Sequence, residues 1–310
     1  MSIVKTDVPM TARLNEQTIR ALVERYPGAR SEVIATTAYG RPVRTLTFGE
    51  GERQVIFTAA HHANEWITTP LLLKFMEELM EAAEKGGTIF GVPAENIRRL
   101  VTVHTVPMVD PDGVALVTGG IQEGSREWEA AKALAENYPS IPFPTGWKAN
   151  LKGVDLNLQY PAGWLRAREV KFSQGFTRPG PRDYVGRAPL DQPETAALAE
   201  YTRRVDPRLV VALHSQGEVI YWQFEDRAPA GARELGEEFA RLSGYRLSDV
   251  PYSSSFAGYK DWFIRYFNRP GYTIEVGKGK NPLPIEQFDE IYPRILGILT
   301  TAATGLPGGA

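Results

Sequence analysis

Cysteine is absent from this 310-residue sequence, and neither sign of charge predominates. Without cysteine the chain has no disulfide bond, no thiolate metal ligand and no thiol nucleophile, so any bound metal must be held by His, Asp or Glu. The 35 basic and 37 acidic side chains give a formal net charge of -2. This balance offers no electrostatic reason to expect nucleic acid or an anionic membrane surface as a partner.

Long apolar segments are also missing. No apolar run is long enough to span a bilayer, and residues 1–14 contain no basic segment followed by an apolar one. We therefore expect a cytoplasmic protein. The Gly- and Pro-rich stretches are short, which indicates loops rather than domain boundaries, and we expect one domain over residues 1–310.

The apolar segments that the sequence does contain favour an α/β fold. Short, apolar, partly β-branched runs are typical of strands buried on both faces of a sheet. Residues 31–37 and 41–48 predict an antiparallel edge, and the Pro- and Gly-containing residues 107–113 predict a loop. The other predicted strands are 55–60, 101–106, 209–213 and 272–277, and the predicted helices are 14–25, 68–83, 125–138 and 193–205.

Three potential metal ligands follow predicted strands. His62 and Glu65 come after the strand 55–60, and His214 comes directly after the strand 209–213. Open α/β sheets place ligands at the carboxyl ends of their strands, so these side chains can converge. Zinc takes imidazole nitrogen and carboxylate oxygen, and a catalytic zinc has three protein ligands with one position left for water. The sequence therefore predicts one Zn2+ ion per chain.

Other polar residues are candidates for roles near the metal. Glu275 interrupts the apolar strand 272–277; beside a metal it would act as a general base, whereas on an edge strand it would face water. Asp155 can accept the second ring N–H of a metal-bound histidine, and Asn157 can hydrogen-bond a substrate carboxylate or carbonyl. An Asx-rich turn that only stabilises itself is the alternative. His104 lies in the middle of a strand, which favours a structural role.

These motifs resemble those of the zinc carboxypeptidases of the A/B superfamily, peptidase family M14. HANEW (62–66), GVDLN (153–157), LHS (213–215) and YTIE (272–275) occur in that family's order and approximate spacing, over nearly the whole chain. The resemblance implies a catalytic domain with a mixed, mainly parallel twisted sheet flanked by helices. It also implies that His62, Glu65 and His214 bind zinc, that Glu275 activates the attacking water, and that Asp155 is the partner of His62.

The resemblance extends to residues near the substrate. Tyr252 matches the family's mobile tyrosine. Lys148 follows Trp147, where family members keep an arginine that polarises the scissile carbonyl and stabilises the oxyanion. Lys260 fills the position at the base of the specificity pocket, where a cation favours an acidic group on the residue after the cut.

Leu158 is the main departure from a carboxypeptidase. Carboxypeptidases follow the asparagine at position 157 with an arginine, and the two residues clamp a terminal carboxylate. An apolar side chain cannot do this. WKAN (147–150), then GVDLN and YPAGW (160–164), are similar to the γ-D-glutamyl-L-diamino acid endopeptidases, which cut bacterial cell-wall peptides between D-glutamate and diaminopimelate.

The sequence therefore predicts a zinc peptidase that hydrolyses γ-D-glutamyl-diaminopimelate bonds in peptides or muropeptides. Members of this subgroup often carry wall-binding modules ahead of the catalytic domain; none occurs in this sequence, so we expect soluble muropeptides as substrates. A carboxypeptidase that removes acidic C-terminal residues is the alternative, with the clamp supplied by Arg166, Arg168, Arg178 or Arg182. A catalytically inactive binding module is the alternative from another class, and absence of bound zinc would favour it.

Overall fold

The structure is a computed structural model and describes residues 2–306. Within this range the chain forms ten α-helices and eleven β-strands. The helices are α1 (Ala12–Arg25), α2 (Thr68–Lys85), α3 (Ala94–Leu100), α4 (Pro111–Val117), α5 (Arg126–Ala135), α6 (Trp164–Ser173), α7 (Pro193–Val205), α8 (Ala232–Ser243), α9 (Tyr259–Phe267) and α10 (Phe288–Thr304). The strands are β1 (Val33–Thr36), β2 (Pro42–Arg44), β3 (Leu46–Phe48), β4 (Arg53–Thr58), β5 (Thr88–Ile89), β6 (Val92–Pro93), β7 (Val101–Val106), β8 (Leu209–Ser215), β9 (Val219–Tyr221), β10 (Arg246–Ser248) and β11 (Gly271–Val276).

Seven of these strands form the main sheet, in the order β10-β9-β11-β8-β4-β7-β3. The central strands β11, β8, β4 and β7 run parallel to one another. At the two sides β3 and β9 pair antiparallel with β7 and β11, and β10 pairs parallel with β9. This mixed, mainly parallel sheet confirms the predicted fold class. It also brings the carboxyl ends of β4, β8 and β11 to one edge.

Alternate residues of the central strands pack into two hydrophobic cores on opposite faces of the sheet. Val55 and Phe57 of β4 belong to one core, together with residues of α2, α8 and α10. Ile56 belongs to the other, together with residues of α7 and α9. Val211 and Val210 of β8 divide in the same way. Both faces are thus buried, which explains why these strands are continuously apolar and confirms that prediction.

Several stretches differ from the sequence prediction; β8, for example, extends through His214 to Ser215. The predicted strand 41–48 is interrupted at Thr45: β2 pairs with β1 in a separate two-stranded sheet, and only β3 joins the main sheet. Helix α4 starts at Pro111, inside the predicted loop, because Asp110 Oδ1 accepts the N–H of Gly113 as a helix N-cap. No helix within residues 2–306 is both long and apolar enough to cross a membrane.

Candidate active site

The turn after β4 is closed by hydrogen bonds that position the first two candidate ligands. Thr68, the first residue of α2, accepts the N–H of Ala60 at 2.9 Å. Its hydroxyl donates to the backbone carbonyl of Glu65 at 2.7 Å. Because one side chain holds both ends of the turn, His62 and Glu65 lie in a fixed position at the carboxyl end of β4.

The three predicted ligands converge at this point. His62 Nδ1 lies 2.9 Å from Glu65 Oε1, and His214 Nδ1 lies 2.9 Å from Oε2 of the same carboxylate. The two Nδ1 atoms are 3.3 Å apart. All three residues are buried, and their ligand atoms lie within 4.8 Å of one another.

This group of donors fits a zinc ion. Two imidazole nitrogens and a carboxylate are a zinc ligand set, and ligand atoms at about 2.0–2.2 Å from a tetrahedral zinc lie about 3.3–3.6 Å from one another. The separation of the two Nδ1 atoms, 3.3 Å, agrees with this range. His62 and His214 also line an open cleft, which gives water and substrate access to the group.

Asp155 fixes the orientation of the His62 ring. Its Oδ1 lies 3.1 Å from His62 Nε2 and accepts the N–H of Asn157 at 3.1 Å, while its Oδ2 accepts the N–H of Asp183 at 3.2 Å. The ring therefore presents Nδ1 to Glu65. Burial alone would raise the pKa of Asp155, but the contact with His62 outweighs burial and lowers it.

Glu275 lies opposite His214 in the register of β11 and β8. Both residues line the cleft, and β11 lies between β8 and β9, so Glu275 is not on an edge strand. Burial, together with the negative charge of Glu65, raises the pKa of Glu275 to about 8, although Lys148 and His62 oppose the shift. The charge of a metal ion would favour the ionised form. An ionised carboxylate beside a metal is suited to general base catalysis.

Lys148 brings a cation to the ligand group. Its Nζ donates to Glu65 Oε1 at 2.7 Å, and its backbone N–H donates to Pro181 O at 2.7 Å. Burial opposes a charged amine here, but the Glu65 carboxylate prevails and the pKa of Lys148 is raised. The ammonium group is therefore charged.

Asn157 and Leu158 form part of the cleft wall. The Oδ1 atom of Asn157 accepts the N–H of Tyr259 at 3.0 Å, which fixes the amide plane. Its Nδ2 atom donates to no residue between 2 and 306 and is available to a ligand in the cleft. Leu158 is only 7% exposed, so the position after Asn157 presents a small apolar surface and no cation.

Lys260 and Tyr252 are not brought into contact with the ligand group. Lys260 lines the cleft, but its buried ammonium donates to Asp261 Oδ1 at 2.5 Å and to Gln223 O at 2.6 Å. Its charge is therefore already balanced by a carboxylate. Tyr252 is 69% exposed and packs edge-on against Phe256 in a neighbouring groove.

Two further residues reach the site from loops. Arg182 is one of the four arginines that the sequence offered as a carboxylate clamp. The structure places it in the cleft wall with Lys148. Asn281 Nδ2 donates to Ser215 O at 2.7 Å and so holds the residue that follows His214. No local pattern marks Asn281, because this contact joins positions 66 residues apart.

A buried group of two histidines and a glutamate at the carboxyl edge of a parallel sheet, beside a raised-pKa carboxylate, is typical of a metal-dependent hydrolase. The model of the zinc carboxypeptidase family, Peptidase_M14, matches residues 15–294 of the chain. The chain therefore belongs to the zinc carboxypeptidase family. It is a zinc metallopeptidase, which confirms the predicted family and the predicted cofactor.

Some known proteins resemble the chain in sequence, and others resemble it in structure. Gamma-D-glutamyl-L-diamino acid endopeptidase 1 of Lysinibacillus sphaericus is 43% identical over 280 residues, which cover 90% of this chain and 68% of that protein. Bovine thrombin-activatable fibrinolysis inhibitor, solved with a tick carboxypeptidase inhibitor, has a TM-score of 0.71 at 18% identity and covers 96% of this chain and 97% of its own. The murein-tripeptide amidase MpaA of Escherichia coli O157 has a TM-score of 0.55 at 21% identity, covering 90% and 93%. At these identities the two structures show a common fold.

Proposed function

We propose that the protein hydrolyses the bond between γ-linked D-glutamate and a diamino acid in bacterial cell-wall peptides. In this proposal His62, Glu65 and His214 hold the zinc ion, and Glu275 is the general base. The convergence of the three ligand side chains with Glu275 in one cleft carries the proposal. The printed activity of the 43% identical relative supports the choice of bond.

Each step of the hydrolysis has a residue suited to it. Zinc in this position would polarise the scissile carbonyl and make the attacking water more acidic. Glu275 accepts a proton from that water and returns it to the leaving nitrogen. Lys148 balances the negative charge on the carbonyl oxygen, and Asp155 keeps the His62 ring oriented throughout.

The cleft wall supports an endopeptidase rather than a carboxypeptidase. We assign Asn157, Leu158 and Lys260 to the residue after the cut, and Tyr252 would reach it by moving from the neighbouring groove. Leu158 offers no cation to a carboxylate next to the scissile bond, so an ordinary C-terminal amino acid gains little here. Diaminopimelate carries a distal carboxylate. On substrate binding the Lys260 ammonium would leave Asp261 and pair with this distal carboxylate.

Comparing substrates tests the proposal directly. We expect cleavage of L-Ala-γ-D-Glu-diaminopimelate-D-Ala, in which the diaminopimelate is not C-terminal, to exceed cleavage of hippuryl-Glu and hippuryl-Phe, measured as kcat/KM with products separated by chromatography. L-Ala-γ-D-Glu-L-Lys-D-Ala lacks only the distal carboxylate, and slower cleavage of it would support the assignment of Lys260. Faster release of ordinary or acidic C-terminal residues than of diaminopimelate would identify a carboxypeptidase instead.

The peptide substrate is the partner that this proposal requires. The cytoplasmic location, the use of soluble muropeptides and the single catalytic domain over residues 1–310 stay predictions. Fractionation of the cells that make the protein would test the location.

A further inference from the structure

The cleft continues past the catalytic residues into a second groove. Lys148, Arg182, Tyr221 and Glu275 belong to both parts. Beyond them the second groove is lined by residues that include Lys280. The proposed function assigns the first part to the residue after the cut, so the second part takes the residue before it; we name it the acyl-side groove.

The backbone on both sides of Arg182 is tied to the catalytic residues. Pro181 O accepts the N–H groups of Lys148 and Ala149 at 2.7 and 2.9 Å. Asp183 N–H donates to Oδ2 of Asp155, the carboxylate that orients His62. Arg182 therefore cannot shift without disturbing contacts of the metal site, and its side chain starts from a fixed point in the cleft wall.

The guanidinium of Arg182 retains free donors and excess charge. Its Nε donates to Asp183 Oδ2 at 2.6 Å, while its two terminal nitrogens make no hydrogen bond to any residue of the described range 2–306. The Asp183 carboxylate is also 2.7 Å from Lys171 Nζ, so one anion serves two cations. The Arg182 side chain is 40% exposed, which leaves the fork accessible.

Two other arginines near the cleft are less available than Arg182, whereas Lys280 is available. Arg166 pairs with Glu225 at 3.1 Å outside the main cleft, and Arg168 lies over the ring of Phe172. Lys280 is exposed, lines the acyl-side groove and makes no ion pair within residues 2–306. Arg182 and Lys280 thus give this groove a positive charge that the groove itself does not balance.

A γ-linked D-glutamate differs from an ordinary residue in having a free α-carboxylate on the acyl side of the cut. We propose that the Arg182 fork, assisted by Lys280, binds this carboxylate and so selects γ-linked substrates. The proposal rests on the proposed function and adds the group that recognises the residue before the cut. A planar guanidinium with two free terminal nitrogens matches a carboxylate in bidentate geometry.

Amidation of that single carboxylate provides the test. Wild-type enzyme and Arg182→Gln are assayed on L-Ala-γ-D-Glu-diaminopimelate and on the same peptide with the D-glutamate α-carboxylate converted to carboxamide. We expect the wild type to prefer the acid, and Arg182→Gln to lose about 10- to 100-fold in kcat/KM on the acid, mostly through KM, and much less on the amide. Arg182→Lys keeps the charge without the fork, so its kcat/KM on the acid should fall between the values of the wild type and Arg182→Gln.

Arg178→Gln is the matched control, because Arg178 is exposed in the same loop and should leave both substrates unaffected. Zinc content and thermal unfolding establish that Arg182→Gln is folded. Lys280→Gln removes the cation proposed to assist Arg182, at an exposed position of the acyl-side groove. Equal losses on acid and amide, or a wild type that prefers the amide, would overturn the carboxylate role while the proposed function stands. Failure of the wild type to cleave either peptide would overturn both.

Discussion

Glu65 connects most of the polar groups of the active site. Its carboxylate contacts the two histidines that we propose as metal ligands, accepts a hydrogen bond from Lys148, and accepts the N–H of Ser215 at 3.1 Å. Burial alone would raise the pKa of Glu65, but His62 and Lys148 lower it well below its usual value. The carboxylate is therefore ionised and available as a metal ligand.

Glu275→Gln should retain zinc and lose hydrolysis, because the amide has nearly the same shape but cannot accept a proton. General acid–base groups contribute about 10²- to 10⁴-fold, and Glu275 takes part in both proton transfers, so we expect a loss near the upper end. The measurement is kcat on a γ-D-glutamyl-diaminopimelate peptide, with zinc content determined on the same sample. Activity within about tenfold of wild type would assign the base to another residue.

Single residues were predictable where their position relative to a strand carries the information. His62 follows β4 and His214 is the second-last residue of β8, so both lie at carboxyl ends of strands and converge. His104 lies in the middle of β7 and bonds Tyr201 and Gln54 at 2.6 and 2.7 Å, which confirms its structural role. The pairing of Lys260 with Asp261 was not predictable, because a charged side chain does not show which neighbour will balance it.

At the scale of elements, apolar runs predict strands better than helices. The bounds of β7 and α7 agree with the sequence prediction at both ends, whereas α3, α6, α8, α9 and α10 were not predicted. Among these, α6 buries only Trp164, Ala167 and Lys171. So small an apolar face leaves little periodicity in the sequence, and tertiary packing stabilises such a helix.

Glu194 lies in the first turn of α7, and burial raises its pKa by more than the helix dipole can lower it. Glu194 lies in the first turn, where the dipole favours an anion, yet it is 0% exposed and its Oε2 atom has no hydrogen-bond partner in residues 2–306. Burial raises the pKa of Glu194 from 4.5 to about 7, although hydrogen bonds from its own backbone and from Asn150 oppose the shift.

This shift predicts a fall in stability as the pH rises. Between pH 4.5 and about pH 7 the unfolded chain ionises Glu194 while the folded chain keeps it protonated, so the folded state is progressively disfavoured through this window. The contribution is on the order of 3 kcal/mol. We expect Glu194→Gln to reduce the difference in unfolding free energy between pH 5 and pH 8, measured with urea at a fixed zinc concentration.

Glu200→Gln is the control for this experiment, since Glu200 lies on the same helix with a side chain 75% exposed. It should show the pH dependence of the wild type. If Glu194→Gln also keeps the pH dependence of the wild type, then Glu194 is ionised in the folded protein, and the start of α7 is better solvated than the burial of Glu194 indicates.

At the scale of the whole molecule, the site depends on contacts between distant segments. The segment from Lys148 to Asp183, which contains α6, supplies three groups to the site: the Lys148 ammonium, the Asp155 carboxylate that contacts His62, and the Arg182 side chain. Hydrogen bonds such as that from Asp183 N–H to Asp155 Oδ2 hold it together. These contacts have no periodic pattern. The sequence indicated the role of Lys148 only through the family resemblance, and the accessible fork of Arg182 could be recognised only in the folded chain.

Zinc should stabilise the whole fold, because its proposed ligands join the turn after β4 to the end of β8, positions 152 residues apart. A ligand that binds only the folded state adds about 2.7 kcal/mol at 100 times its Kd. We expect chelation to lower the Tm of the wild type and zinc to restore it. His214→Ala should lose both the bound metal and this response, whereas Glu275→Gln should keep both, which separates metal binding from catalysis. Unchanged zinc content in His214→Ala by elemental analysis would show that His214 is not a ligand, even though its Nδ1 faces Glu65.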